Sequence, residues 1–151
     1  AEQFLNSYFS KFPEIKAYMD QTIKFCRKSG YINNIFGRRS HFTSINDKNY
    51  NVRNFQERAA INAPIQGSAS EIMRLAMIRL NKKLNEKKNE NLKILLQIHD
   101  ELIFEAPKEE VKKISKIIIE EMSSVVNSDQ YTFSIPLTVD LNIGDNWGAL
   151  H

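Results

Sequence analysis

The chain has 151 residues, of which 42% are hydrophobic and 10% aromatic, and its 21 Lys and Arg against 18 Asp and Glu give a formal charge of +3. This length and apolar content suffice for a buried core and exclude an intrinsically disordered tail. The single cysteine excludes a disulfide framework and a cysteine-based zinc site. Because no apolar run reaches the roughly 18 residues of a membrane span, we expect a soluble, cytoplasmic chain with no membrane partner.

The small net charge conceals an uneven distribution. Residues 24 to 58 contain eight Lys or Arg and two Asp or Glu, a local charge of +6, whereas residues 61 to 151 contain 11 and 13, a charge of −2. A basic first half and an acidic second half are typical of a phosphate-binding surface beside a carboxylate cluster, as in nucleic-acid enzymes. A solvated basic face is the competing interpretation, and charge alone favours it.

In the first half, the sequence predicts a helix followed by loops. Pro13 marks a helix start, apolar residues follow at helical spacing, and Ser29-Gly30 ends the helix. The next stretch has no helical period, and the FGRR sequence at residues 36–39 predicts a hairpin or a tight loop. Residues 46–54, with four asparagines, resemble a linker, and loops of this kind often carry binding groups.

The second half predicts further helices and three strands. A helix is predicted from Ser68, after an alanine-rich stretch and Pro64, and another helix from Pro107. Residues 92–98 and 102–106 predict a hairpin, and the alternating residues 136–143 predict a last strand. In the first of these strands, alternation places Ile94, Leu96 and Ile98 on one face. The order of elements predicts an α+β fold in which helices pack on a small antiparallel sheet.

The predicted hairpin carries His99-Asp100-Glu101 at its apex, with Asp100-Glu101 as the expected two-residue turn. Such turns normally contain glycine, because they need positive φ angles. Two adjacent carboxylates are therefore poor turn residues, and they are hard oxygen ligands of the kind that Mg²⁺ or Mn²⁺ binds. Acidic residues are common in turns, so a solvated turn is the competing interpretation and is favoured when the apex is considered alone.

Five sequence blocks resemble family A DNA polymerases of the bacterial DNA polymerase I type, in the same order and spacing. LLQIHDELIFE resembles the third polymerase motif of that family, and ERAAINAPIQGSASEIMRLAM resembles the stretch just before it. The other three blocks are YFSKFPEIKAYMD, GYINNIFGRRSHF and NIGDNW. The resemblance covers nearly the whole chain and implies the end of the fingers at residues 1–57 and part of the palm at residues 58–151 of a right-hand polymerase.

The resemblance implies a catalytic role for the apex. Asp100 is similar to the palm aspartate that helps to hold two catalytic Mg²⁺ ions, Glu101 to its lesser acidic neighbour, and His99 to the residue placed against the primer 3′ end. The implied reaction is template-directed nucleotidyl transfer from a deoxynucleoside triphosphate to the primer 3′-hydroxyl, in which the ions activate the hydroxyl and stabilise the leaving pyrophosphate.

The resemblance also implies a face that contacts primer–template DNA. Arg58, Asn62 and Gln66 are spaced i, i+4 and i+8, so a helix would place them on one side, although Pro64 could bend it. Their donors suit minor-groove acceptors, which differ little among base pairs. The competing interpretation, that Asn62 and Gln66 only brace a helix start, has equal weight without the resemblance.

A basic group is implied to hold nucleic-acid phosphates, a contact that adds salt-dependent affinity without sequence preference. Its expected members are Arg38, Arg39 and Arg53, with Lys48 and His41 as weaker candidates.

The family's first-motif aspartate and its nucleotide-binding fingers helix have no counterpart in this sequence. We therefore expect the 151 residues to be inactive alone and to act within a longer, monomeric bacterial enzyme associated with the nucleoid, where that missing aspartate completes the two-ion site. The alternatives are a non-catalytic DNA-binding module and an inactive structural remnant. A simple DNA-binding module has no reason to place Asp100 and Glu101 near phosphates, because carboxylates repel them.

Overall fold

The computed structural model describes residues 2–86, 92–127 and 133–150. Its elements, in chain order, are helices α1 (Glu2–Lys11) and α2 (Pro13–Ser29), strands β1 (Tyr31–Asn33) and β2 (Arg39–His41), helix α3 (Tyr50–Glu86), strands β3 (Lys93–Ile98) and β4 (Glu101–Glu105), helix α4 (Val111–Ser123), and a 3₁₀ turn at Trp147–Ala149. The helices and two small antiparallel sheets confirm the predicted α+β class. Two compact units, residues 1–69 and 70–151, divide within α3. Across the described ranges, no helix is both long and apolar enough to cross a membrane.

Helix α2 begins and ends where the sequence predicts. Pro13 occupies its first turn, and Phe12 has φ −128° and ψ 67°, in keeping with the exclusion of the residue before a proline from the helical region. At the other end Gly30 adopts a left-handed conformation with φ 78°, and its N–H donates to the carbonyl oxygen of Cys26 at 2.7 Å. This is the glycine cap that closes many helices.

The predicted hairpin around the FGRR sequence is present as β1 and β2. The two strands pair antiparallel, with Tyr31 opposite His41 and Asn33 opposite Arg39, and Gly37 in the connecting loop has φ 83°. The hairpin packs on a small core of the first unit. The buried members of that core are Cys26, Ile32, Phe42, Ile45 and Ala60.

Helix α3 starts much earlier than predicted, at Tyr50 rather than Ser68. The asparagine-rich stretch supplies its N-terminal cap: Asn49 Oδ1 accepts from the Asn51 N–H at 2.9 Å, and Asp47 Oδ1 accepts from the Asn49 N–H at 2.7 Å. Because asparagine and aspartate side chains satisfy the free N–H groups of a helix start, residues 50–54 are helical and the linker interpretation is wrong for them. Pro64 lies within the continuous helix.

In the second unit, β3 and β4 form the predicted hairpin, but the turn lies one residue earlier than expected. Ile98 pairs with Glu101, so the two-residue turn is His99-Asp100 and not Asp100-Glu101. The positive φ that the turn requires is supplied by His99, at φ 49°. Glu101 is consequently the first residue of β4 and belongs to the ladder.

A bulge at Leu95 changes which residues of β3 share a face. Ile94 pairs with Phe104, and the next pair is Leu96 with Ile103, so one residue of β3 is left over. An extra residue of this kind reverses the alternation beyond it. Leu96 and Ile98 therefore lie on the face opposite to Ile94, and the prediction that all three share a face is wrong.

The remaining elements close the core of the second unit. Its buried residues include Leu80, Leu84, Leu92, Ile114 and Ile118.

Residues 136–143 form no strand, which corrects the prediction of a last strand. Burial still alternates along them, because Leu137, Val139 and Leu141 are half-buried while Thr138 and Asp140 are exposed. The alternating pattern thus reflects which side chains point inward, whereas a strand also requires a partner for its backbone.

Candidate nucleic-acid and metal sites

The acidic turn between β3 and β4 presents three exposed side chains, those of His99, Asp100 and Glu101. The hairpin ladder ends at the Ile98–Glu101 pair, which fixes the backbone on both sides of the turn. Among the described residues, neither Asp100 nor Glu101 forms an ion pair. The two carboxylates are therefore available to bind a cation or a substrate group.

His99 is the only described non-glycine residue with a positive φ. That conformation costs an ordinary side chain about 1–2 kcal/mol, and such strain is often found at functional sites. Gln97 Nε2 donates to the His99 carbonyl oxygen at 3.3 Å, which helps to hold the turn. The predicted site residue is thus also the residue on which the turn geometry depends.

The carboxylates of the turn fit one part of a divalent-cation site. Within residues 2–86, 92–127 and 133–150, no group of three or more His, Cys, Asp or Glu is arranged to hold a metal. Mg²⁺, however, is commonly held by one or two carboxylates, with substrate phosphates and water completing its shell. Asp100 and Glu101 have the chemistry of such ligands.

In the first unit, α3 places Arg58, Asn62 and Gln66 on one exposed face. At about 100° per residue they lie within roughly 80° of one another around the helix axis, and they span about 12 Å along it. Pro64 does not separate them, because α3 is continuous from Tyr50 to Glu86. Ala60, which lies roughly 160° around the helix axis from Asn62, is buried in the core of the first unit. The three polar side chains therefore form a row that faces solvent.

The β1–β2 hairpin presents the arginines of the FGRR sequence to solvent. Arg38 and Arg39 are both exposed, and the Arg39 guanidinium lies 4.5 Å from the centre of the Tyr31 ring. The His41 ring also lies near Tyr31, with its centroid 5.9 Å from that of the Tyr31 ring. A cation held over an aromatic face keeps its charge and its remaining donors while its position is restricted.

Arg53 has a different environment from the other predicted phosphate contacts. Its Nη1 donates to the carbonyl oxygen of Asp47 at 2.9 Å, and its guanidinium lies 5.6 Å from the centre of the Tyr50 ring. The side chain is half-buried, whereas Lys48 is exposed. Arg53 therefore braces the start of α3, and a phosphate contact would have to use its remaining donors.

Two residues that sequence reasoning did not identify join the loop to α3. The side chains of Asn34 and Ser68 are buried, and they bond the hairpin loop to the helix directly after Gln66. Asparagine is common in turns, because its side chain bonds to nearby backbone groups. Its partner thirty-three positions away could not be read from the sequence.

The chain thus combines a mixed α+β fold with an exposed acidic turn and with exposed basic and polar side chains, and comparison with known proteins identifies its family. Residues 1–149 match DNA polymerase family A. The chain is 43% identical to a DNA polymerase I from Caldicellulosiruptor bescii over 97% of its length, and 43% identical to a DNA polymerase I from Borreliella burgdorferi over all of it. The chain belongs to DNA polymerase family A, which confirms the resemblance.

A solved structure shares the same fold. The POL domain of Pol1 from M. smegmatis, in a complex with DNA primer-template and dNTP, superposes with a TM-score of 0.86 over 97% of this chain, at 35% identity. The chain covers 25% of that solved chain, and 17% and 16% of the two curated relatives. It thus spans about a sixth of the length of those relatives.

Proposed function

We propose that, within a polypeptide of the relatives' length, this chain takes part in template-directed DNA synthesis by transferring a nucleotidyl group from a deoxynucleoside triphosphate to a primer 3′-hydroxyl. The observation that carries the proposal is the exposed His99-Asp100-Glu101 turn in a chain of DNA polymerase family A. The M. smegmatis relative, solved with primer-template and dNTP, supports the same substrates.

The turn would supply the metal ligands. Asp100 would be the principal protein ligand of two Mg²⁺ ions and Glu101 a lesser one, with a further aspartate from outside this chain. When bound, the ions would lower the pKa of the primer hydroxyl and offset the charge that develops on the phosphates. His99, on the same turn, would lie against the primer 3′ end and orient it.

The first unit would hold the DNA. The exposed row on α3, formed by Arg58, Asn62 and Gln66, has donors suited to minor-groove acceptors that are shared by all correctly paired bases. Arg38 and Arg39 would contact phosphates, and Arg53 would do so through the donors that the Asp47 carbonyl leaves unused. A surface of this kind detects the geometry of a base pair and not its sequence.

The proposed placement in the enzyme is the end of the fingers for residues 1–57 and part of the palm for residues 58–151. The partners are primer–template DNA and deoxynucleoside triphosphates, and the proposed enzyme is a cytoplasmic bacterial monomer. The two compact units divide between residues 69 and 70, twelve residues after this proposed boundary.

The test is single-nucleotide incorporation by the full-length polypeptide. Asp100→Asn keeps the size of the side chain but removes its charge, and we expect the rate of incorporation to fall by at least about 100-fold. The Kd for primer–template should stay within a few-fold of the unchanged protein. Asp140→Asn is the matched control, since Asp140 is an exposed aspartate outside the turn.

Two results would contradict the proposal. Near-normal incorporation by Asp100→Asn would remove the metal role of the turn. DNA binding without any Mg²⁺-dependent incorporation by the full-length polypeptide would favour the non-catalytic DNA-binding module instead.

A further inference from the structure

Asn34 is a buried polar residue whose side chain makes three hydrogen bonds to the backbone. Its Oδ1 accepts from two backbone donors of the hairpin loop, the Phe36 N–H at 3.0 Å and the Arg38 N–H at 2.9 Å. Its Nδ2 donates to the carbonyl oxygen of Gly67 in α3 at 3.2 Å. Only 8% of the residue is exposed to solvent. A single side chain therefore folds the loop and attaches it to the helix.

The orientation of the Asn34 amide follows from its partners. Two N–H groups converge on one atom, and only an oxygen accepts from both. The backbone of Asn34 contributes as well, because its N–H donates to the Arg38 carbonyl oxygen at 2.9 Å and its own carbonyl accepts from the Gly37 N–H at 3.0 Å. Arg38 is thus bonded to Asn34 through both its N–H and its carbonyl oxygen.

Ser68 makes a second, independent connection between the loop and α3. Its Oγ accepts from the Ile35 N–H at 3.2 Å and donates to the carbonyl oxygen of Pro64. Ser68, like Asn34, is 8% exposed. Gly67 lies against Asn34, and a Cβ at Gly67 would stand 3.5 Å from the Asn34 Cβ. The helix thus approaches the loop closely at the residues that follow Gln66.

We infer that Asn34 is a positioning residue, which with Ser68 holds the Arg38 backbone at a fixed distance from the Gln66 end of the exposed row on α3. The inference rests on the proposed function, since it assumes that Arg38 and the row contact the same DNA. Hydrogen bonds from a rigid helix place the cation before DNA arrives, so that less ordering of the loop is needed on binding. Neither Asn34 nor Ser68 need touch DNA.

A double-mutant cycle in the full-length polypeptide tests whether Asn34 acts through Arg38. Asn34→Ala should raise the Kd for primer–template about five- to tenfold and should reduce the slope of log Kd against log salt by about one, as expected for one lost phosphate contact. Arg38→Gln should have the same effect. The double variant should then be no weaker than Arg38→Gln, because the contact that Asn34 positions has already been removed.

Two further variants separate positioning from folding. Asn33→Ala is the matched control, because Asn33 is the exposed neighbour in β1, and it should leave both Kd and slope unchanged. Ser68→Ala removes the second connection with a residue that favours helix, so it should fold even if Asn34→Ala does not. We expect Ser68→Ala, like Asn34→Ala, to reduce the slope of log Kd against log salt. In a protein that already carries Arg38→Gln, Ser68→Ala should cause no further reduction of that slope.

The inference is overturned if the fold increase in Kd caused by Asn34→Ala, or by Ser68→Ala, multiplies with the fold increase caused by Arg38→Gln in the double variant. It is also overturned if Arg38→Gln leaves the Kd unchanged, or if neither Asn34→Ala nor Ser68→Ala alters the salt slope. Dependence of nucleotide incorporation on Asp100 would still hold in all these cases, so failure here is distinguishable from failure of the proposed function.

Discussion

Tyr18 Oη on α2 donates a hydrogen bond of 2.9 Å to the carbonyl oxygen of Ile61 on α3, three residues before Pro64. Pro64 has no N–H to offer to the Ala60 carbonyl, and its ring crowds that group, so a helix is weakest at this point. An external donor one residue away supports the backbone where the helix can least support itself. The bond also links the two longest helices of the first unit.

We predict that Tyr18→Phe loosens α3 around Pro64. The loss of one hydrogen bond is worth about 1 kcal/mol, so amide exchange in the segment from Ala60 to Ala69 should accelerate about fivefold. Hydrogen–deuterium exchange followed by mass spectrometry measures this locally. Tyr8→Phe is the control, because among the described residues the Tyr8 side chain makes only ring contacts. Equal exchange in both variants would show that the bond does not support the helix.

The strained turn residue provides a second prediction. Glycine at position 99 would remove the steric strain of the left-handed conformation, a gain of about 1 kcal/mol. Glycine also loses more chain entropy on folding, a cost of similar size. His99→Gly should therefore be about as stable as the unchanged protein. His99→Val should lose about 1–2 kcal/mol, because a β-branched residue resists positive φ. Thermal unfolding of both variants tests the order of stability.

The same pair of variants separates the turn geometry from the His99 side chain. If the imidazole orients the primer end, His99→Gly should incorporate nucleotides more slowly despite its normal stability. Normal incorporation by the glycine variant would mean that position 99 matters only for the shape of the turn.

Cys26 provides a prediction with a defined pH dependence. The thiol is fully buried, and burial raises its pKa above the ordinary value, because the thiolate is poorly solvated there. The neutral thiol therefore contributes stability below the unfolded-state pKa of about 8.5, and this contribution is lost as the pH rises through the higher folded-state pKa. At pH 8, labelling of Cys26 by a thiol reagent should be about 100-fold slower in the folded than in the denatured protein, for a local opening cost of roughly 3 kcal/mol. Rapid labelling of the folded protein at that pH would contradict the burial.

Local sequence determined the parts of the fold that depend on single residues. Pro13 and Gly30 restrict φ, so the limits of α2 were predictable, and Gly37 allowed the first hairpin to be predicted. The start of α3 was missed because asparagines favour both loops and helix caps, and only the bonds of Asn49 decide between the two. The bulge at Leu95 likewise depends on the pairing of two strands, which a one-strand pattern does not contain.

The candidate site shows the same division. The spacing of Arg58, Asn62 and Gln66 on a helix is a local property, and the structure has them on one exposed face. The turn was predicted one residue too late, because the sequence alone does not show that His99 adopts a positive φ. The connection of Asn34 to Gly67 is a tertiary contact between distant positions, so no local pattern announces it.

The exposed row on α3 leads to a prediction about accuracy. If Asn62 and Gln66 donate to minor-groove acceptors, Gln66→Ala should lower the incorporation efficiency on a correctly paired primer end by about 5- to 10-fold, the worth of one hydrogen bond. The loss should be similar for all four correct pairs, because those acceptors are shared. A mismatched end displaces the acceptors, so incorporation there should change little and the ratio of matched to mismatched incorporation should fall. Gln21→Ala, at an exposed glutamine on α2, is the control. A loss confined to one base pair would mean that Gln66 reads sequence, and an equal loss at matched and mismatched ends would mean that it only supports α3.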